Sequence, residues 1–332
     1  MVNILIAAPF FYPSMGGIET VTDTLATAFA ELGYQVVVVT PTQLSYPNLE
    51  IRRNYKVIRK PSAKYLLNAV KECDVFIHNS ISLKNIWPLF FFQRKWIVVH
   101  HGPLYSHSLK LKLIAKLKLF ATTFAINVGV SSFIGKQFSD KCLVIPNPID
   151  LHAFLDAAII PKSLDFVFVG RLVREKGAHL FIQALKVIQD LKPQFQCSII
   201  GDGPELDNLK REVEELKLSS NITFTGKLTG NELITSIAKH KVMVIPSIWK
   251  EPFGVVALEG MACGCNIIAS NTGGLPEAVG NCGLLIEPYD ILGLSKAMEE
   301  SLNLIPNKHL VNEHLSRHSS SNIANEFLKI FS

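Results

Sequence analysis

The sequence predicts an α/β fold of two doubly wound parallel-sheet units, and three observations carry that prediction. Short β-branched runs, apolar at consecutive positions, recur along the chain, as strands covered on both faces must. Helical stretches separate these runs throughout, the pattern of parallel strands joined by crossover helices. The chain has 332 residues, 48% hydrophobic and 18% charged, enough apolar material for two full cores.

In the first half the runs fall at residues 3–9, 35–40, 74–79, 96–102, 126–131 and 142–150. In the second they fall at 165–171, 196–203, 221–226, 242–247 and 265–270. The stretch "IPNPID", with Pro146 and Pro148, punctuates the middle and marks a hinge, giving units of 1–150 and 151–317. Residues 1–150 carry 16 Lys/Arg against 8 Asp/Glu (+8), and residues 151–332 carry 17 against 20 (−3). Such a split points to different partners for the two halves. Six scattered cysteines, without a CxxC pair or a Cys/His cluster, indicate a reducing compartment and no structural metal. The apolar N-terminus lacks a basic lead and a cleavage site, so it reads as a buried strand and not as a signal peptide. No apolar run is long enough to cross a bilayer. A cytoplasmic location is expected.

In open α/β sheets the ligand lies beyond the carboxyl ends of the strands. Two such units facing each other would make a cleft, so the loops after the strands are where chemistry is sought. Gly16-Gly17 opens a helix, whose N-terminal amides suit an anion; a tight turn is the plainer reading, and GxGxxG is absent. "HHGP" places His100 and His101 at a strand end, as core or as cleft residues. Arg171 and Lys176 bracket the loop in "GRLVREKG", a planar fork and a point charge suited to a diphosphate. Arg171 directly follows an apolar strand, where a charge is expected to be paired. Asp202 has no neighbouring carboxylate to form D-x-D, so it reads as a turn residue. In "EPFGVVALEGMACG" a helix is expected to begin near Phe253, with the amides of Gly254 and Val255 at its positive end. Glu251 precedes that helix, and Glu259 is expected roughly two turns along on the same face.

Taken in order, "GGIE", "GRLVREKG", "GDGPE", "EPFGVVALEGMACG" and "TGGLPE" resemble the retaining nucleotide-sugar glycosyltransferases of family 4, with their GT-B architecture of two Rossmann-like domains. The resemblance spans residues 3–290. It implies that Arg171 and Lys176 bind the donor diphosphate, with Gly16, Gly17, Gly254 and Val255 adding backbone contacts. It implies further that Glu259 holds the ribose, Glu251 meets the donor sugar, and His101 lies near the anomeric centre, with His100 as a competing register. The implied reaction retains configuration and needs no metal and no cofactor. Its donor is a nucleotide diphosphate sugar, a UDP-sugar before GDP- or ADP-sugar. Its acceptor is a glycan or a lipid-linked hydroxyl, in polysaccharide, lipopolysaccharide or glycolipid synthesis. A final helix over 318–332 is expected to return to the first unit.

The basic half contains "SLKLKLIAKLKLFATTF", residues 108–124. Leucine and lysine alternate with period two, a strand signature, but both are good helix formers and the resemblance puts a helix here. On a helix Lys110, Lys112, Lys116 and Lys118 are expected to spread around the axis, their stems passing buried leucines. A solvated surface helix is the plain reading. The sharper one is contact with anionic lipid on the cytoplasmic face of a membrane, at about 1 kcal/mol per lysine. A nucleotide-sugar epimerase of the same fold is the alternative activity. A phosphorylase lacks a visible signature, and nucleic acid is not an expected partner, since stacking aromatics do not interleave the basic residues.

Overall fold

The computed structural model describes residues 2–13, 16–44, 53–102 and 109–331, except the side chains of residues 109–112, 158 and 191. The chain forms two compact units, Met1–Ile149 with His318–Ser332, and Asp150–Arg317.

The first unit holds β1 (Asn3–Ala7), β2 (Gln35–Thr40), β3 (Lys56–Arg59), β4 (Val75–Asn79), β5 (Lys95–His100), β6 (Ile126–Gly129) and β7 (Leu143–Val144). Among the described residues they form one parallel sheet in the order β3-β2-β1-β4-β5-β6-β7. The second unit holds β8 (Leu164–Val169), β9 (Cys197–Ile200), β10 (Ile222–Gly226), β11 (His240–Ile245), β12 (Asn266–Ser270) and β13 (Gly283–Ile286). Their order is β10-β9-β8-β11-β12-β13, again all parallel. Each order reverses direction once, at β1/β4 and at β8/β11, and such a switch point opens a crevice between diverging loops.

Two strands, β3 and β13, are absent from the sequence expectation. Both are four-residue edge strands, incompletely buried, so they lack the continuous apolar run that marks the interior ones. The run at 142–150 yields only the two residues of β7, because prolines 146 and 148 cannot donate to a ladder.

Apolar burial secures each sheet. Phe166, Phe168, Phe181 and Phe195 anchor one core in the second unit. On one face of the first, Leu5, Phe76, Trp96 and Val98 pack with Leu66 and Val70 from the helix Ala63–Glu72. The helix Ser320–Phe331 closes the first unit. Its Phe327 and Phe331 rings lie 6.2 and 5.6 Å from that of Phe29, and the Phe331 carbonyl accepts from Lys95 Nζ at 2.6 Å. A parallel bridge between Ile149 and Ser319 starts the return.

Residues Leu109–Thr122 are helical, against the period-two pattern. The expectation of buried leucines fails for Leu113 and Leu117, which are exposed. The cause is geometric. Apolar residues at every second position of a 3.6-residue helix fall all round its axis, so no single face can bury them. The side chains of Lys110 and Lys112 lie outside the described residues; Lys116 is exposed and Lys118 half-buried.

Phe29 is fully buried between its own helix, Gly17–Glu31, and the returning C-terminal helix. Phe29→Ala should cost the first unit about 3–5 kcal/mol, the usual range for a buried phenylalanine. Hydrogen exchange should then accelerate in Gly17–Glu31 and Ser320–Phe331 and stay unchanged in β8–β13.

Candidate active site

In the second unit the candidate residues gather at the switch point, where β8 and β11 are neighbours. The chain leaves β8 through Gly170 and Arg171, makes one 3-10 turn over Arg174–Lys176, and enters the helix Ala178–Leu191 through Gly177. Gly177 has φ +75°, and a Cβ there would fall 1.9 Å from the Pro246 carbonyl oxygen. Only glycine allows this approach. The loop after β8 therefore rests on the loop after β11, and the amides of Ile248 and Trp249 donate to the Glu175 carbonyl at 3.0 and 3.2 Å.

This contact sets Lys176 against Glu251, Nζ to Oε1, at 2.5 Å. The Ser247 hydroxyl donates to the same oxygen at 2.8 Å. Glu251 is 7% exposed, a depth at which an unpaired carboxylate would be costly. The glycines of "TGGLPE" hold its backbone. A Cβ on Gly273 (φ +60°) would fall 2.4 Å from the Glu251 carbonyl oxygen, which accepts from the Gly274 amide at 2.7 Å.

Arg171 departs from expectation. It is exposed, and its guanidinium has no hydrogen-bond or ion-pair partner among the described residues. The strand ends at Val169 and Gly170 intervenes, so the guanidinium is already clear of the sheet.

The helix after Glu251 starts later than expected, running Val255–Ala262 with Gly254 as N-cap at φ +112°. Phe253 is drawn into the core at 1% exposure and is not helical. Gly254 and Val255 nonetheless stand at the helix's positive end. Glu259 is the fifth helical residue, little more than one turn in, which corrects the two-turn spacing. The residue is half-buried, and its carboxyl has no hydrogen-bond or ion-pair partner among the described residues and is pushed up to about 7 in pKa by burial.

In the first unit, Gly16 is the extended N-cap of Gly17–Glu31, and its carbonyl accepts from the Thr20 amide at 3.2 Å. A Cβ on Gly17 would meet nothing within 4 Å, so no described neighbour requires glycine there. The two histidines after β5 differ. His100 is buried: its Nε2 meets Asn127 Oδ1 at 2.8 Å, and its ring stacks on Phe138 with centroids 3.5 Å apart. Asn127 spends its amide N–H groups on the carbonyls of Thr122 and Ala125, so His100 Nε2 is the donor. Burial lowers the His100 pKa to about 4. His101 lies past the strand and is partly exposed, with Nε2 on Asn79 Oδ1; burial and then neighbouring His100 lower its pKa to about 3. Both rings are neutral at pH 7. Asn79 donates in turn to the Thr22 hydroxyl, which donates to the Ile18 carbonyl at 2.7 Å, tying His101 to the first turn of Gly17–Glu31.

Ser247, Asn79 and Thr22 are positioning residues that sequence reasoning missed. The available signal was a polar side chain at or just past the carboxyl end of a strand, as at Asn79 and Ser247. Among the described residues there is no cluster of three or more His, Cys, Asp or Glu arranged to hold a metal ion, and no helix long and apolar enough to cross a membrane.

Residues 15–153 match the family model described as Glycosyltransferase Family 4, and residues 156–313 the one described as Glycosyl transferases group 1. Glycogen synthase of Mycobacterium tuberculosis is 33% identical over 189 residues, covering 56% of this chain and 45% of that protein. The chain spans about half the length, or less, of several such relatives. An uncharacterized glycosyltransferase of Methanocaldococcus jannaschii is 28% identical across 97% of this chain and 92% of its own. Among solved structures, a glycosyltransferase from Rickettsia africae superposes with TM-score 0.79 at 19% identity, covering 99% of this chain and 97% of that one. Anabaena HepE in complex with UDP and glucose gives 0.78 at 19% identity, covering 99% of each chain. With its two halves matched in succession and its motifs set on two parallel sheets, the chain belongs to glycosyltransferase family 4 and has the GT-B fold.

Proposed function

We propose that the chain is a retaining, metal-independent glycosyltransferase that moves a sugar from a UDP-sugar to a hydroxyl of a glycan or lipid-linked acceptor, in polysaccharide, lipopolysaccharide or glycolipid synthesis. The observation that carries this reading is an unpaired, exposed Arg171 on the same short loop as Lys176, beside a helix whose Glu259 carboxyl has no partner. Two cations match two phosphates, and a lone carboxylate matches a pair of ribose hydroxyls. The crystal structures of HepE in complex with UDP and with UDP-glucose support the choice of donor.

In this reading the acceptor oxygen attacks the anomeric carbon on the face from which the diphosphate leaves. The carbon–oxygen bond to the diphosphate breaks, its electron pair stays with the phosphate, and the acceptor proton passes to a phosphate oxygen. The products are the glycoside, with configuration retained, and the nucleoside diphosphate. Arg171, Lys176 and the amides of Gly254 and Val255 stabilise the charge that builds on the leaving group. Glu251, held by Lys176 and Ser247, faces the positive charge that builds on the sugar. Gly16 and Gly17 serve a phosphate through the helix start, and neutral His101 serves the sugar as a hydrogen-bonding group. The basic first half, with Lys110, Lys112, Lys116 and Lys118, attracts an anionic membrane surface.

Arg171→Ala should weaken UDP binding roughly ten- to hundredfold, the worth of a charge-assisted hydrogen bond. Calorimetry with UDP checks it, and unchanged affinity would remove Arg171 from the site. Turnover should persist in EDTA; loss on chelation and rescue by Mg²⁺ or Mn²⁺ would show that cationic side chains do not suffice.

The two glutamates should separate. Glu251→Gln should lower kcat about a hundredfold with little change in UDP affinity, because its charge matters mainly in the transition state. Glu259→Gln should weaken UDP binding and remove its pH dependence. The sign follows from the raised pKa of about 7. Ribose hydroxyls donate more strongly to the carboxylate, which accepts through both oxygens, than to the acid, so affinity should climb from pH 6 to 8, by about tenfold at most. A native-like climb in Glu259→Gln would contradict the assignment.

A further inference from the structure

The strongest unassigned feature lies on one face of the first unit. In the helix Leu109–Thr122 and just beyond it, Leu113, Leu117, Phe120 and Phe124 are exposed. Their spacing of four, three and four places them in one stripe about 16 Å long. The Phe120 and Phe124 rings meet edge to face at 5.5 Å, so the stripe is continuous at its end. Phe90 and Phe91, at the end of the 3-10 turn Trp87–Phe90, are exposed as well. These six side chains keep between 49% and 83% of their surface open.

Both segments lie on the same side of the sheet. One crosses from β4 to β5 and the other from β5 to β6, between parallel neighbours, and right-handed crossovers running in one direction share a face. Trp87, Leu89 and Phe92 pack against the same core cluster as Ala121 and Ala125. The exposed phenylalanines and leucines therefore form the outer side of one layer.

The charge around this layer selects its occupant. Between Asp74 and Asp140 the chain has no Asp or Glu, against eight Lys or Arg. A long apolar stripe with basic residues and no acid is the composition of a segment that lies in a lipid interface. We propose that this face inserts Leu113, Leu117, Phe120 and Phe124, with Phe90 and Phe91, into the interface of an anionic bilayer, so that the first unit is held by apolar burial as well as by charge. The inference rests on the membrane-surface part of the proposed function and adds an apolar component to it. Lys116, exposed beside the stripe, supplies the charge at the headgroups.

Charge and burial respond differently to salt, because screening shortens to about 3 Å at 1 M and leaves apolar burial in place. The full chain is floated with phosphatidylcholine vesicles, with and without phosphatidylglycerol, at about 0.1 M and about 1 M NaCl. Binding to the anionic vesicles should fall with salt but retain a substantial salt-resistant fraction. The variant Leu113→Gln/Leu117→Gln/Phe120→Gln/Phe124→Gln should lose that fraction at least tenfold, and Phe90→Ser/Phe91→Ser should lose part of it. Circular dichroism of both variants should match the native chain. Salt-sensitive binding that the substitutions leave untouched would overturn insertion and leave electrostatic docking standing. No binding of the native chain to any vesicle would overturn both. A native dimer that the first variant turns into a monomer, without vesicle binding, would assign the face to a second copy of the chain.

Discussion

The second unit's site depends on the contact between the loops that follow β8 and β11. Gly177 lies so close to the Pro246 carbonyl that no side chain fits, and two amides from the second loop converge on the Glu175 carbonyl. These contacts bring Lys176 against Glu251, whose same carboxylate oxygen also accepts from Ser247. Gly273 and Gly274 brace the same loop from behind through the Glu251 backbone. The glycines scattered through "REKG" and "TGGLPE" thus act together, positioning one ion pair that lies far apart in sequence.

Charge is distributed unevenly over this frame. Lys176 and Glu251 already neutralise each other, so their geometry is set before any ligand arrives, the condition under which fixed groups stabilise developing charge without reorganising. The Arg171 guanidinium and the Glu259 carboxyl lack partners among the described residues. The arginine stands in solvent at little cost. The glutamate does not, and burial holds its carboxyl near the midpoint of titration at neutral pH. Under the proposed function, these two groups of opposite sign are the ones left for a ligand that brings both an anion and hydroxyl donors.

Legibility followed burial. Interior strands such as β1, β4, β8 and β11 are apolar on both faces and stood out as continuous runs, whereas β3 and β13, incompletely covered at sheet edges, carried no such run. The candidate residues of the second unit could be picked out in the sequence because strand–loop–helix order brings their loops to one sheet end. Their pairing was not: nothing local in "REKG" or "WKEPFG" says that Lys176 meets Glu251, since that contact is made across 75 positions. Nor could the histidine doublet be resolved from sequence. The difference between His100 and His101 comes from Asn127 and Phe138 on one side and Asn79 on the other, each distant in the chain. The leucine–lysine segment carried a strand pattern and was expected to be a helix from the resemblance and from residue propensity; the exposure of its leucines followed from placing a period-two sequence on a 3.6-residue turn.

A crystal structure of the chain with UDP bound would test the proposed donor site directly. Diphosphate oxygens should lie within hydrogen-bond distance of Arg171 and Lys176, at the start of the helix Val255–Ala262, with both ribose hydroxyls on the Glu259 carboxylate. A diphosphate seated elsewhere in the second unit, or a ribose turned away from Glu259, would contradict it.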